Sequence, residues 1–353
     1  MEGSLKQQIS QISGGPRTLT IITTYQCTAA CNDCCFESSP EVKGRLTLRQ
    51  ITDFIDESTS SFDDLEVVVF SGGEPLLLGN NLFDAIAHAT GLGLKTRVVS
   101  NGYWGKSRTL AQRTAESFRE SGLTEINLST GLDHAEYVPL NQLITAIQAL
   151  VYVGIPNRVT VESDAHETSF HRSILRHPTI VEILQEKPWL LSFQVNSWMP
   201  FHDSSERRKL PGQSAVDGAC DQLFHNLVLT PYKEVSACCG LTFEHLPSLK
   251  LGQLYQAPVK DLYTSQFDDF LKIWIKTDGP AKILKTLFPG EVEQEIDQLH
   301  HICQACALMQ QSDVVMERLL HVYPQYIEGV LARYIAKESV KRGTEKFEAK
   351  EAS

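Results

Sequence analysis

The chain has 353 residues, and its 43 acidic residues outnumber its 32 basic ones, which gives a formal net charge of −11. This length predicts about two domains. The acidic balance argues against non-specific binding to nucleic acid, because such binding needs a basic surface. The chain begins without the apolar segment of a signal peptide, and its longest mostly apolar stretch, near residues 143–155, is too short to span a bilayer. We therefore expect a cytoplasmic protein that binds neither nucleic acid nor a membrane.

Strand-like and helix-like segments alternate through the first two thirds of the chain. Strands are predicted at residues 18–24, 65–70, 95–100, 125–129, 158–162 and 190–195, and helices at 46–58, 81–89, 108–121, 141–153 and 180–185. Repeats of this kind predict a parallel sheet with right-handed crossovers. The expected fold class is α/β, a partial (β/α)6 barrel of the TIM type.

The last third has a different pattern, which predicts a smaller α+β unit. Residues 223–230 and 235–239 flank a turn that begins at Pro231, and together they predict a hairpin. Helices are predicted at residues 259–276, 291–299, 313–322 and 325–342. We divide the chain into an N-terminal tail (1–16), a barrel (17–212), a cysteine-containing subdomain (213–310) and C-terminal helices with a polar tail (311–353).

Nine cysteines fall into two groups that are far apart in the sequence. In a reducing compartment they do not predict a disulfide framework, and their number is odd. Cys27, Cys31 and Cys34 have the spacing C-x3-C-x2-C and follow the first predicted strand. Three thiolates on one loop can hold three irons of a 4Fe-4S cluster and leave the fourth iron open to another ligand. The alternatives are buried thiols without a metal, or zinc, for which this triplet offers no matching pair nearby.

The sequence Ser71-Gly72-Gly73-Glu74-Pro75 ends the second predicted strand. Two glycines allow a ligand to approach the backbone closely. The carboxylate of Glu74 comes at the carboxyl end of a barrel strand, where such folds place their chemistry. The two glycines by themselves would predict only a turn.

These two motifs, in this order, resemble those of the radical S-adenosylmethionine (SAM) superfamily. The resemblance covers roughly residues 17–200. It implies that Cys27, Cys31 and Cys34 ligate the cluster and that the methionine part of SAM chelates the open iron. It further implies contacts between the amino group of SAM and the residues Gly72, Gly73 and Glu74.

Polar residues after the next two strands also match the family. Ser100 and Asn101 resemble its ribose-contacting turn, and Ser129 and Thr130 match its polar position at the end of the fourth strand. One departure is Asp33, because the residue before the third cysteine is usually aromatic. This departure leaves open what packs on the adenine of SAM.

The family resemblance implies a reaction in which a reduced cluster cleaves SAM to a 5′-deoxyadenosyl radical that abstracts a substrate hydrogen atom. It also implies an external one-electron reductant such as flavodoxin or ferredoxin. Cys35 is expected to be a buried free thiol. His134 lies in a predicted polar loop, and we expect it at the surface.

The second cysteine group can hold another metal centre. Cys220 and Cys238 are separated by seventeen residues, and Cys303 and Cys306 follow in a C-x2-C motif. Four thiolates suit either a second 4Fe-4S cluster or a zinc ion. The layout resembles the auxiliary-cluster extension of radical SAM enzymes called the twitch subdomain, although the usual turn glycine is absent. The resemblance implies an auxiliary 4Fe-4S cluster on these four cysteines.

Cys239 follows directly on one of these predicted ligands. Neighbouring side chains on a strand point to opposite faces, so Cys239 is expected to face away from the Cys238 ligand. A buried thiol is the plain interpretation. The chain also resembles radical SAM peptide epimerases, some of which place a hydrogen-donating cysteine beside an auxiliary ligand, and this implies a catalytic role for Cys239.

The leading hypothesis is L-to-D epimerisation at a Cα atom of a ribosomally made precursor peptide. The alternatives are dehydrogenation of a carbohydrate or an aminocyclitol, another peptide modification such as cross-linking, and a non-catalytic metal-binding scaffold. The segment before Thr18 is too short for a separate leader-recognition domain, so we expect the peptide to be recognised elsewhere.

Overall fold

The structure is a computed structural model that describes residues 9–32, 34–163, 169–196, 216–240 and 246–351. The predicted domain boundary at residue 212 and the departure at Asp33 lie outside these residues. Among the described residues, no helix has the length and apolar character needed to cross a membrane.

Nine strands form one sheet in the order β6-β5-β4-β3-β2-β1-β7-β8-β9. The first six are mutually parallel, and β7 is parallel to β1, whereas β8 and β9 are antiparallel additions. The predicted α/β class with a partial TIM-type barrel is confirmed. The strands are β1 (Thr18–Ile22), β2 (Val67–Ser71), β3 (Lys95–Ser100), β4 (Glu125–Thr130), β5 (Asn157–Glu162), β6 (Leu191–Asn196), β7 (Asn226–Leu229), β8 (Glu234–Ser236) and β9 (Lys250–Gln253).

Helices connect the parallel strands and cover the sheet. They are α1 (Leu48–Ser61), α2 (Asn80–Gly91), α3 (Arg108–Glu120), α4 (Leu132–Tyr137), α5 (Leu140–Val153), α6 (Ser169–Leu175) and α7 (Pro178–Glu186). The C-terminal region adds α8 (Val259–Ser265), α9 (Phe270–Asp278), α10 (Pro280–Leu287), α11 (Glu293–Ile296), α12 (Ile302–Gln311), α13 (Asp313–Val322) and α14 (Ile327–Glu351).

The central strands are buried because their side chains are apolar on both faces. Leu19, Ile21 and Ile22 of β1 and Val68 and Phe70 of β2 have no solvent exposure. Such continuous apolar runs are typical of parallel strands that are covered on both sides. The cysteine loop and the Gly-Gly motif therefore follow two of the most deeply buried strands.

Two C-terminal segments differ from the predicted elements. The helix predicted over residues 259–276 is two helices, and α9 starts afresh where the Asp269 side chain accepts hydrogen bonds from the backbone of Leu271 and Lys272. Helix α12, which carries Cys303 and Cys306, was not predicted. It begins at a capping box in which the imidazole of His301 accepts from the Cys303 backbone N–H, and histidine is not a usual capping signal.

The predicted hairpin is present, but it is part of the barrel sheet. Strand β7 pairs with β1 with Thr18 opposite Asn226 and Ile21 opposite Leu229. Strand β8 then returns antiparallel to β7. The end of β8 leads directly into Cys238 and Cys239, so the sheet itself positions these two cysteines.

The two glycines after β2 are required by a close contact between two backbone segments. The backbone N–H of Gly73 donates to the carbonyl of Thr24 at 2.7 Å, and that of Glu74 donates to the carbonyl of Gln26 at 2.9 Å. A Cβ atom on Gly73 would overlap the Gln26 carbonyl, and Gly72 has a positive φ of 137°. The Gly-Gly motif thus anchors the segment that leads into the cysteine loop.

We expect Gly73→Ala to lower the free energy of unfolding by about 1–3 kcal/mol, because the added methyl group must displace the backbone at Gln26. Urea denaturation measures this loss. Gly91→Ala is the matched control, because a Cβ at Gly91 meets no atom within 4 Å. Equal stability of the two variants would show that the contact is not tight.

Candidate active site

A cavity of about 280 Å³ lies at the carboxyl ends of the parallel strands. The loop after β1 contributes its cysteines, and the end of β2 contributes Gly72 and Gly73. Polar residues line it along the next strands of the sheet, and Cys239 lines it from the segment after β8. The cavity therefore brings residues from both cysteine groups to one place.

The cysteine loop is held at both ends by hydrogen bonds. The backbone N–H of Cys27 donates to the carbonyl of Ser39 at 3.0 Å, and that of Cys34 donates to the carbonyl of Cys31 at 3.2 Å. The hydroxyl of Tyr137 in α4 donates to the carbonyl of Ala30 at 2.8 Å. These contacts present the side chains of Cys27, Cys31 and Cys34 to the cavity.

The three thiols of this loop form a donor set that suits the 4Fe-4S cluster implied by the radical SAM resemblance. Burial and the charge of Glu74 raise the pKa of Cys27 to about 12. Burial and the charges of Cys34 and Cys27 raise the pKa of Cys31. Binding of iron must therefore displace thiol protons, as it does at other thiolate metal sites. Gly72 and Gly73 leave the cavity wall beside these thiols without side chains.

Glu74 is fully buried and is not among the residues that line the cavity. Its carboxylate accepts hydrogen bonds from the hydroxyl of Ser100 at 3.1 Å and the backbone N–H groups of Asn101 at 3.0 Å and Leu76 at 3.2 Å. Burial raises its pKa to about 7, although these hydrogen bonds lower it. In the structure Glu74 ties the end of β2 to the end of β3.

Ser100 is a buried junction of hydrogen bonds. Its hydroxyl donates to Glu74 and accepts from the backbone N–H of Gly102 at 3.1 Å and the indole N–H of Trp104 at 3.2 Å. Asn101, by contrast, lines the cavity, and its amide donates to the hydroxyl of Thr28 at 3.0 Å. Ser100 thus shapes the turn, whereas Asn101 faces the cavity.

Of the two remaining predicted SAM-binding residues, one lines the cavity and the other does not. Ser129 lines the cavity, whereas Thr130 is buried and does not. Of the seven predicted contacts, the structure therefore places four on the cavity wall, namely Gly72, Gly73, Asn101 and Ser129.

The four predicted ligands of the second group, Cys220, Cys238, Cys303 and Cys306, lie close together. Burial and the charges of Cys239, Cys220 and Cys303 raise the pKa of Cys238, and burial with the charges of Cys303 and Cys220 raises that of Cys306 to about 12. A Cβ at Gly240 would lie 2.9 Å from the sulfur of Cys238 and 3.1 Å from that of Cys303. Across the described ranges, no three His, Cys, Asp or Glu side chains converge tightly enough to hold one metal ion.

Cys239 faces a different environment from that of Cys238. Its thiol lines the cavity, donates to the side-chain carbonyl of Gln222 at 3.1 Å and accepts from the amide of Asn226 at 2.9 Å. Burial raises its pKa to about 11, although a hydrogen bond with Thr20 lowers it. The thiol is therefore protonated at neutral pH.

Sequence reasoning missed several residues that line the cavity. The expectation that His134 lies at the surface is wrong, because it is buried in α4 and lines the cavity. Asn127, Thr160 and Asn196 line it from β4, β5 and β6. Their positions on successive strands of a predicted barrel were the signal that could have found them. Cys35, expected to be a buried free thiol, is only half-buried and also lines the cavity.

Comparison with known proteins agrees with this geometry. The profile of the radical SAM superfamily matches residues 21–136, which include the cysteine loop, the Gly-Gly motif and the turn after β3. Residues 21–136 carry a radical SAM domain. The radical SAM family implies a 4Fe-4S cluster and SAM as cofactors.

Two curated proteins align with part of this chain. The protein named "Putative peptide biosynthesis protein YydG" of Bacillus subtilis is 26% identical over 122 residues, which are 35% of this chain and 38% of that protein. The AdoMet-dependent heme synthase of Oleidesulfovibrio alaskensis is 27% identical over 139 residues, 38% of this chain and 33% of that protein. The aligned regions thus span less than half of each relative.

Two solved structures share the fold over most of the chain. Streptococcus suis SuiB bound to its precursor peptide SuiA aligns with a TM-score of 0.59 and 13% identity, over 80% of this chain and 72% of that one. A His-tagged anSMEcpe with bound AdoMet aligns with a TM-score of 0.55 and 13% identity, over 91% and 98%. At these identities the likeness is one of fold.

We expect Ser100→Ala to destabilise the protein by about 1–3 kcal/mol, because it leaves the N–H groups of Gly102 and Trp104 without their buried acceptor. Thermal or urea unfolding measures the change. Ser60→Ala on the exposed face of α1 is the control, since its hydroxyl only donates to the Asp56 carbonyl. If the two variants unfolded alike, the hydrogen bonds that Ser100 accepts from Gly102 and Trp104 would not contribute to stability.

Proposed function

We propose that this protein is a radical SAM enzyme that converts an L-residue of a ribosomally made precursor peptide into the D-residue, with Cys239 as the hydrogen donor. The observation that carries the proposal is the shared cavity. Cys239 lines the same space as Cys27, Cys31 and Cys34, although about two hundred residues separate them in the chain.

The residues of the first loop fit the cofactors that the superfamily implies. Cys27, Cys31 and Cys34 would hold the cluster, and the glycine wall and Asn101 would receive SAM. When bound and reduced by an external one-electron donor, these cofactors supply a 5′-deoxyadenosyl radical that removes the α-hydrogen of the substrate residue. The protein positions the α-carbon and keeps solvent away from it.

Inversion needs a hydrogen that arrives from the other side of the α-carbon. The loop cysteines enter the cavity from the carboxyl end of β1, whereas Cys239 enters it from the segment after β8. A residue held between them would lose its hydrogen toward the first loop and regain one from the Cys239 thiol. The Cα–H bond then forms as the S–H bond breaks.

The surroundings of Cys239 suit a hydrogen donor better than a nucleophile. Reactive cysteine nucleophiles lie beside cations or helix N-termini that lower the thiol pKa. The Cys239 thiol forms hydrogen bonds with the neutral side chains of Thr20, Gln222 and Asn226, and burial raises its pKa. The residue therefore offers a hydrogen atom rather than a thiolate.

A peptide substrate is supported by the relatives. The name of the Bacillus subtilis relative assigns it to peptide biosynthesis, and the Streptococcus suis structure of the same fold was solved with its precursor peptide. We infer the same class of substrate for this chain.

We further propose that Cys220, Cys238, Cys303 and Cys306 hold an auxiliary 4Fe-4S cluster. The sulfurs of Cys238 and Cys303 both lie beside Gly240, and the charges of Cys220 and Cys303 raise the pKa values of Cys238 and Cys306, which supports this assignment. Only a residue without a Cβ leaves the sulfurs of Cys238 and Cys303 unobstructed at that point.

Gly240→Ala should therefore lose about four iron atoms per chain relative to the wild type, the content of one 4Fe-4S cluster. Iron and sulfide analysis after anaerobic reconstitution measures this loss, with Gly91→Ala as the control. Zinc in place of iron at these cysteines, or an unchanged iron content, would refute the auxiliary cluster.

If Cys239 is the hydrogen donor, its removal should abolish one product and leave the other. We expect Cys239→Ala to form 5′-deoxyadenosine with the substrate peptide but no D-residue, because hydrogen abstraction does not need the thiol and hydrogen return does. Chromatography of the nucleoside and chiral analysis of the hydrolysed peptide measure both, with short peptides encoded beside the gene as substrates.

Cys35→Ala is the matched control, because Cys35 is the other thiol of this cavity outside the predicted cluster ligands. It should retain D-residue formation. A D-residue made by Cys239→Ala would overturn the donor role. Failure of wild-type protein to cleave SAM under dithionite would overturn the enzyme assignment itself.

A further inference from the structure

We propose that Gln222 and Asn226 are positioning residues that hold the Cys239 thiol for hydrogen transfer. This inference rests on the proposed function of Cys239. It follows from three hydrogen bonds that join these side chains in a closed triangle, which we call the amide clamp. The sulfur donates to Gln222 Oε1 at 3.1 Å and accepts from Asn226 Nδ2 at 2.9 Å, and Asn226 Nδ2 also lies 3.2 Å from Gln222 Oε1.

The sheet fixes the position of the amide clamp. The backbone N–H of Asn226 donates to the carbonyl of Gln222 at 3.0 Å, so one turn places both amides on the same side. Asn226 begins β7 and lies opposite Thr18 of β1. Asn226 is buried, whereas Gln222 is exposed. The clamp is thus anchored to the strand pair that carries Cys239 to the cavity.

Neutral amides suit a hydrogen-atom donor. A carboxylate would draw the thiol proton toward itself, and a cation would favour the thiolate. Amides do neither, but they fix the direction of the S–H bond and keep one N–H at the sulfur throughout the reaction. Asn226 Oδ1 is buried and has no hydrogen-bond partner among the described residues, which leaves the amide group held through its Nδ2.

The step balances without a further oxidant. The Cα radical of the substrate takes a hydrogen atom from Cys239, so a Cα–H bond forms, the S–H bond breaks and a sulfur radical remains. One electron from the external one-electron donor and one proton from solvent restore the thiol. The clamp then holds the same thiol for the next turnover.

Two substitutions of similar size test the clamp, Gln222→Met and Asn226→Leu. We expect each to lower the ratio of D-residue to 5′-deoxyadenosine by at least about tenfold, since a small misplacement of a reacting group can cost about 100-fold. The formation of 5′-deoxyadenosine itself should stay near the wild-type rate. A purely structural role would lower both products together and leave their ratio unchanged.

Two further variants complete the experiment. Gln222→Glu keeps an acceptor oxygen but replaces the neutral amide with a carboxylate that draws the thiol proton toward itself, so it should also lower the ratio. Gln294→Met, an exposed residue in α11, is the control and should match the wild type. If Asn226→Leu fails to fold, the product ratio of Gln222→Met still tests the clamp, because Gln222 is exposed.

The two proposals fail in different ways. A wild-type ratio in Gln222→Met, together with loss of the D-residue in Cys239→Ala, would overturn the clamp alone. A D-residue formed by Cys239→Ala would overturn the donor role on which the clamp depends.

Discussion

Strand β7 runs parallel to β1 from Thr18 to Ile21, and this pairing carries the C-terminal third of the chain to the cavity. Strand β1 leads into the cysteine loop, whereas β7 and its hairpin lead into Cys238 and Cys239. Strand β8 returns antiparallel to β7, so the residues after β8 lie beside Asn226, where β7 begins. The position of Cys239 therefore depends on the pairing of β8 with β7 and of β7 with β1.

A second set of contacts fixes the cavity from the barrel side. The glycines after β2 allow the backbone at Gly73 and Glu74 to bond to the carbonyls of Thr24 and Gln26. The buried carboxylate of Glu74 then bonds to Ser100 and Asn101 at the end of β3. Three consecutive strand ends are thus joined by hydrogen bonds, which keeps the cysteine loop in a defined position.

Local features of the chain were predictable. The apolar runs of the strands and the spacing of Cys27, Cys31 and Cys34 depend on residues close in sequence. The α/β barrel class follows from the alternation of such segments. Cys238 and Cys239 have different hydrogen-bond partners, but both lie beyond the end of β8 at Ser236, so strand alternation is not the reason.

Features that depend on distant residues were not predictable. The parallel entry of β7 beside β1 needs the whole topology, and no local pattern marks it. His134 was misplaced because its polar neighbours suggested a surface loop, whereas helix α4 turns it toward the cavity. The amide clamp joins Gln222 and Asn226 to Cys239 across seventeen and thirteen positions of the chain, and neither amide carries a motif.

Both cysteine groups contribute thiols to one cavity. The cavity is lined by thiols that fit a cluster and by a protonated thiol with neutral partners. Under the proposed function, a substrate carbon atom would lose a hydrogen toward the first set and gain one from the second. The proposed inversion would leave the composition of the product unchanged.

The origin of the returned hydrogen tests this account most directly. Thiol hydrogens exchange with solvent, so turnover in D2O labels whatever Cys239 donates. Mass spectrometry and chiral analysis of the peptide should find one deuterium at the α-carbon of each D-residue. A product without deuterium, or one that has lost two hydrogens to become a carbonyl compound, would contradict the account.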